Sequence, residues 1–237
     1  MGFGIWLPSS KGIPLKFLRQ TFAIVQKDLA AELRTKENLS AMVVFALIVL
    51  VIFNFAFELQ GVDITVVGAG VLWVAFTFSG ILGLGRSFAA ERDKGSLEGV
   101  LLSPVDRGAV FLGKAISNFI FIAVMQAATL PLFAILNNVA LPWFPLVPYV
   151  LLGTFGFAAM GTLLSAIAAS TKMREVMLPI LLFPVSIPLL MAAVKLTGGA
   201  LQARAFAEVA LWFNLLILYD VLFLVVAFWV FEYVVEE

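Results

Sequence analysis

The chain has 237 residues, 62% hydrophobic and 13% charged, with a formal net charge of +0. A soluble domain carries about a quarter charged residues, and so few polar groups cannot cover a water-facing surface over this much Leu, Val, Ala and Phe; with a mean hydropathy of +1.08, the implied solvent is a lipid bilayer. Cysteine and histidine are both absent, which removes disulfides, thiolate metal sites, the commonest haem and zinc ligand, and the usual proton shuttle near neutral pH.

In chain order, residues 1–17 hold Pro8 and Pro14 and lack an apolar run, so no cleavable signal peptide is expected. Leu15, Leu18, Phe22, Val25, Leu29 and Leu33 then recur at helical spacing, with Lys16, Arg19, Gln20, Lys27 and Arg34 between them. This pattern predicts an amphipathic helix in the membrane interface, its basic groups toward lipid phosphates; a helix packed on the protein's own cytoplasmic face is the alternative. Six spans follow, at about 41–57, 64–84, 110–136, 145–169, 176–196 and 209–235. Each is long enough, at about 1.5 Å per residue, to cross or nearly cross a hydrocarbon core of about 30 Å. The expected fold is therefore all-α, a polytopic integral membrane protein with about six transmembrane helices. It reads as one permease domain over 1–237, with 1–40 cytoplasmic or interfacial and 41–235 the six-span bundle.

Lys and Arg set the expected orientation. Lys11, Lys16, Arg19, Lys27, Arg34 and Lys36 precede the first span; Arg86, Arg92, Lys94, Arg107 and Lys114 lie between the second and third; Lys172 and Arg174 lie between the fourth and fifth. The intervening loops carry only Lys195 and Arg204. Both termini are thus expected in the cytoplasm. The acidic Glu232, Glu236 and Glu237 weigh little in this rule.

Pro179, Pro184 and Pro188 fall inside the fifth span, where each removes a backbone donor and favours a kink. Gly68, Gly70, Gly80 and Gly83 in the second span, and Gly153, Gly156 and Gly161 in the fourth, permit close helix approach, for packing or for a substrate path. No internal repeat is evident, which argues against carriers built from inverted repeats. Asp220, mid-span after Tyr219, is the one acid deep within the apolar runs, Glu232 lying at the end of the sixth. It must face protein, face water or stay protonated, either as a proton or substrate contact or as a structural acid bonded to a neighbouring Ser or Thr.

Gly108 to Ala115 nearly spells a phosphate-binding loop, but Ala115 stands where a magnesium-binding hydroxyl is needed, and the segment opens an apolar helix. Any ATP hydrolysis is therefore expected from another chain. Asn38-Leu39-Ser40 fits a glycosylation acceptor, a chance match on the expected cytoplasmic side. The most informative stretch runs from Arg86 through Glu91, Arg92, Asp93, Lys94, Gly95, Ser96, Leu97, Glu98, Gly99, Val100 and Leu101 to Pro104. Gly95 suits a helix end, Ser96 can cap a second short helix, and Leu97, Val100 and Leu101 give it an apolar face. Such a cytoplasmic helix suits docking into a partner's groove; packing back on the spans is the alternative.

The Arg-x-Phe-x-x-Glu run leading into Gly95-Ser96-Leu97-Glu98, the Leu101-Leu102-Ser103-Pro104 step, and Gly113-Lys114 at the head of the next span resemble the haem exporter protein B (CcmB) family. The 182–190 segment with Pro184 and Pro188, and the 219–237 end with Tyr219 and Asp220, are similar to that family too. The Gly-Ser-Leu-Glu piece alone points to the wider class of ABC-2-type permeases. The resemblance implies a non-catalytic permease subunit in the bacterial inner membrane, required for cytochrome c biogenesis. Its implied partners are a cytoplasmic ATP-binding subunit of the CcmA type, CcmC, the small CcmD and the haem chaperone CcmE, with membrane lipid around it and two copies or a hetero-oligomer in the complex; no nucleic acid is implied. It implies no resident cofactor, haem as transient cargo, and ATP on the partner. The 91–101 residues would be the ATPase-coupling contact. ATP-driven motion would either export haem or release the loaded chaperone. Two other classes remain open at this stage: an ABC-2 permease for a lipid, polysaccharide or drug, and an ATP-independent carrier or intramembrane enzyme.

Overall fold

A computed structural model of the chain describes residues 13–59, 61–93, 105–171 and 173–234. Among them are seven helices: α1 (Ile13–Thr35), α2 (Glu37–Glu58), α3 (Ile64–Asp93), α4 (Arg107–Asn137), α5 (Trp143–Ala169), α6 (Arg174–Leu201) and α7 (Phe206–Val234). The last six are long and apolar enough to cross a membrane. The chain is thus a multi-pass, all-helical membrane protein, the only fold besides a closed barrel that satisfies backbone groups without water.

The helices overrun the predicted spans, most of all α3, which continues past Leu84 to Asp93. Hydropathy ends where polar residues begin, but backbone hydrogen bonding does not. Local chemistry sets the starts. Lys36 takes a left-handed conformation (φ 55°) at the α1–α2 corner, where Glu32 Oε1 accepts from Leu39 N at 2.7 Å. Asp63 caps α3, accepting from Thr65 N at 2.9 Å and Thr65 Oγ1 at 2.8 Å; these bonds hold its carboxyl below the usual range. Asp106 caps α4 by accepting from Gly108 N at 2.8 Å.

The two most enclosed helices define the centre. In α5 72% of the membrane-crossing stretch is buried and in α3 61%, against 17% in α2 and 22% in α7. Small residues allow this. A Cβ at Gly153 would meet the Trp73 ring, one at Gly161 would meet Leu84, and one at Gly80 of α3 would meet Phe157. Trp73 also donates from Nε1 to Thr197 Oγ1 at 2.9 Å, tying α3 to α6. Gly70 differs from the other span glycines, because nothing lies within contact of it.

The α4–α5 seam carries polar pairs within the apolar core. Asn118 Nδ2 donates to Thr162 Oγ1 at 2.9 Å, and Thr162 donates to Ala158 O. Eight residues further along each antiparallel helix, Gln126 meets Thr154 at 2.9 Å, and the Thr154 hydroxyl also reaches Val150 O at 2.7 Å. An amide's oxygen and nitrogen are interchangeable in shape. With Nε2 of Gln126 turned toward Thr154, the hydroxyl keeps its one proton for Val150 O, and the two pairs become equivalent. Both lie in hydrocarbon, where such bonds contribute about 0.6 kcal/mol each on average. A double-mutant cycle with Asn118→Leu and Thr162→Val, read by reversible unfolding in micelles, is expected to show coupling of about that size; purely additive losses would show that the pair is not made.

Candidate functional site

α1 presents three faces. Phe17, Thr21, Ile24, Asp28 and Glu32 turn toward the bundle, partly or fully buried. Leu15, Leu18, Phe22 and Leu33 stay 61–71% exposed, and Lys16, Arg19, Lys27 and Arg34 occupy the remaining side, all exposed. One flank therefore docks on the protein, mainly along α4, and a separate apolar stripe stays exposed. Gly113 makes the docking close, since a Cβ there would meet Ile24 and the Thr21 carbonyl.

At this same end stand the exposed Arg86 and Lys36, together with Arg107 and Arg174. Lys195 and Arg204 belong to the opposite end, beside the α6–α7 turn. The basic asymmetry read from the sequence is thus a physical asymmetry of the bundle. Lys114 is a correction to it. Counted as a loop charge, it lies two turns inside α4 with its side chain 4% exposed. Its Nζ is 3.1 Å from Asp28 Oδ2 and 3.2 Å from Ser87 O, and 5.5 Å from the centre of the Phe88 ring. The near phosphate-loop motif is helical from its first glycine, as its sequence context implied.

The segment expected to couple to an ATPase is reached at both ends. Glu91, Arg92 and Asp93 form the last turn of α3. Lys94, Gly95, Ser96, Leu97, Glu98, Val100 and Leu101 lie outside the described residues. α3 enters this segment and α4 leaves it, and a ring cluster packs their neighbouring turns together: Phe88 against Phe231, and Phe111 against Phe228 and Phe231, with centroids 5.3–6.3 Å apart.

Asp220 lies in the middle of the bundle, halfway along α7 and 3% exposed. It faces protein. Its carboxyl lies where a Cβ on Gly156 would go, and Leu189 of α6 closes the same spot. Neither oxygen has a hydrogen-bond partner among the described residues, so of the two alternatives the structural acid bonded to a neighbouring Ser or Thr is not the arrangement seen. Beside it, the Tyr219 hydroxyl donates to Val185 O at 3.2 Å, between Pro184 and Pro188. Those prolines and Pro179 lie within one unbroken helix, α6, with Pro184 and Pro188 on its exposed side. Sequence reading missed the buried Lys114, Asn118 and Gln126; lone polar residues in apolar runs were the available signal.

Between α3 and α6 an apolar groove of about 230 Å³ opens at the surface, lined in part by Gly70, Val74, Thr77, Phe78 and Phe183. Ligand pockets usually span about 300–1,000 Å³, so this groove alone does not enclose a ligand of drug size.

The family comparison agrees with this architecture. Residues 19–236 match the family model described as CcmB protein. Among similar proteins, each described as "Heme exporter protein B", the one from Rhodobacter capsulatus is 29% identical over 77% of this chain and 84% of its own length. That from Paracoccus denitrificans is 28% identical over 76% and 84%, and that from Pseudomonas aeruginosa 29% identical over 72% and 75%.

The Gly156–Asp220 contact gives a steric test. Gly156→Ala is expected to destabilise the bundle by about 1–3 kcal/mol through overpacking, seen as a lower thermal midpoint in detergent. Asp220→Ala in the same chain is expected to restore most of it, and equal losses in both variants would contradict this geometry. With nearly the whole chain inside one family match, and six membrane-crossing helices beneath it, the chain belongs to the CcmB protein family.

Proposed function

We propose that this chain is the membrane permease subunit of an ABC transporter for haem export in cytochrome c maturation. The family match across 19–236, to a family whose relatives are called heme exporters, carries the reading. The whole chain is one ABC-2-type permease domain, in the bacterial inner membrane with both termini in the cytoplasm. The gathering of Lys and Arg at the α1 end supports that orientation. ATP is bound and hydrolysed by a separate CcmA-type subunit, with CcmC, CcmD and the chaperone CcmE as further partners. Haem is cargo here. With no His or Cys in the chain, any axial ligand from it would be a Met or Tyr.

Coupling runs through the charged segment. Glu91, Arg92, Asp93, Lys94, Gly95, Ser96, Leu97, Glu98, Val100 and Leu101 meet the ATP-binding subunit, and its closure pushes on α3 and α4. The response is carried by α6. Pro179, Pro184 and Pro188 leave the carbonyls of Glu175, Ile180 and Pro184 without their usual donors, so α6 bends more readily than its neighbours. Asp220, where α5, α6 and α7 meet, is the intramembrane polar group of the moving interface. The small groove between α3 and α6 supports a pathway completed by a second copy or another subunit.

Leu97→Asp and Glu98→Lys test this reading. Both are expected to leave the protein inserted and to lower mature c-type cytochrome by about tenfold, an uncoupling of about 1.4 kcal/mol, as read on haem-stained gels beside an immunoblot of the permease. Full cytochrome yield in both variants would remove the segment from the mechanism. Normal cytochromes with loss of another exported molecule would point to a different cargo.

A further inference from the structure

Burying an ion pair is a poor way to stabilise a protein, because desolvation offsets most of the attraction and apolar replacements are often neutral or better. The Lys114–Asp28 pair is buried all the same, with side chains 4% and 11% exposed. α1 does not need it for attachment. Gly113 already brings α4 against Ile24, and Phe17 packs on Phe228 at 6.5 Å between centroids. What the pair adds is direction. A single ammonium group holds both carboxylate oxygens of Asp28 on α1, at 3.1 and 3.3 Å, and the Ser87 carbonyl on α3, at 3.2 Å, while its own stem belongs to α4. Three helices are thereby fixed in one register at one atom. Ser87 lies about 9 Å along α3 from Asp93, and Lys114 about 10 Å along α4 from Arg107, at 1.5 Å per residue. Both distances run through continuous helix. Displacement of those two helix ends therefore reaches Lys114 without a flexible joint. The outer face of α1 offers little resistance, since Leu15, Leu18, Phe22 and Leu33 are free of the protein.

We propose that Lys114 is a positioning residue that links α1 to α3 and α4, so that force delivered to the ends of those two helices moves α1 with them. This rests on the reading of the chain as an ATP-driven permease. Breaking the link leaves the bundle and the ATPase contact intact, and stops the motion at α1.

The test uses the permease with its ATP-binding subunit in nanodiscs. The chain has no cysteine, so Leu33→Cys carries a single environment-sensitive fluorophore on the exposed side of α1. The key variant is Asp28→Leu with Lys114→Met, which replaces the pair by apolar side chains and is expected to keep assembly and thermal midpoint. With the native pair a non-hydrolysable ATP analogue is expected to change the label's emission. In the double variant that change is expected to vanish with ATPase retained, and mature c-type cytochrome in cells to fall about tenfold; Lys114→Arg is expected to keep all three. A double variant that preserves the nucleotide response and cytochrome yield overturns the proposal. So does one that no longer assembles, because the pair is then structural. If the native chain co-purifies with no ATPase and its label ignores nucleotide, the permease reading itself fails, and this proposal with it.

Discussion

Hydrocarbon supplies no hydrogen bonds, and this constraint orders the whole molecule. Backbone groups are satisfied by running six helices across the membrane, and side-chain polar atoms must find partners within the bundle or lie at its ends. The α4–α5 seam shows the first solution, with an amide and a hydroxyl facing each other twice along two antiparallel helices. Lys114 shows a second, a cation drawn inside and held by a carboxylate and a carbonyl. Asp220 is an exception among the described residues: it is enclosed by α5 and α6, and neither carboxylate oxygen has a hydrogen-bond partner, as is also true of the Thr77 and Ser79 hydroxyls. Natural proteins tend to break such local rules where they function.

The same constraint gives the bundle an enclosed middle and a more open, charged end. In the middle, α5 is enclosed on most of its circumference, and its glycines are filled by Trp73 and Leu84 of α3. At the α1 end close glycine approaches at Gly108 and Gly113 are joined by aromatic edges and by ion pairs from Asp28 to Lys27 and Lys114, spread over α1, α3, α4 and α7. Under the proposed coupling, the end that receives the charged segment is also the end that moves. The three proline positions of α6 would carry that motion toward the level of Asp220.

Much of this was legible in the sequence because hydropathy and bilayer thickness leave little choice. The six spans, the amphipathic α1, the basic bias of one end and the isolated position of Asp220 all follow from residue type and spacing. Lys114 was misread for a physical reason. Lys-and-Arg counting treats a cation near a span boundary as a flank, whereas Asp106 caps α4 eight residues before Lys114 and the helix carries Lys114 inside. The pairing of Asn118 and Gln126 was equally hidden, since each looks like one tolerated polar residue until an antiparallel neighbour supplies Thr162 and Thr154. Gly70 could not be told from the packing glycines, because the space beside a glycine depends on the facing helix.

The central claim is that the chain serves haem delivery to c-type cytochromes. The most direct measurement is a haem-stained gel of membranes and periplasm from a strain lacking this gene, with and without a plasmid copy. Covalently haem-bound bands are expected to disappear in that strain and return with the plasmid; bands that persist unchanged in the deletion strain would contradict a role in haem delivery.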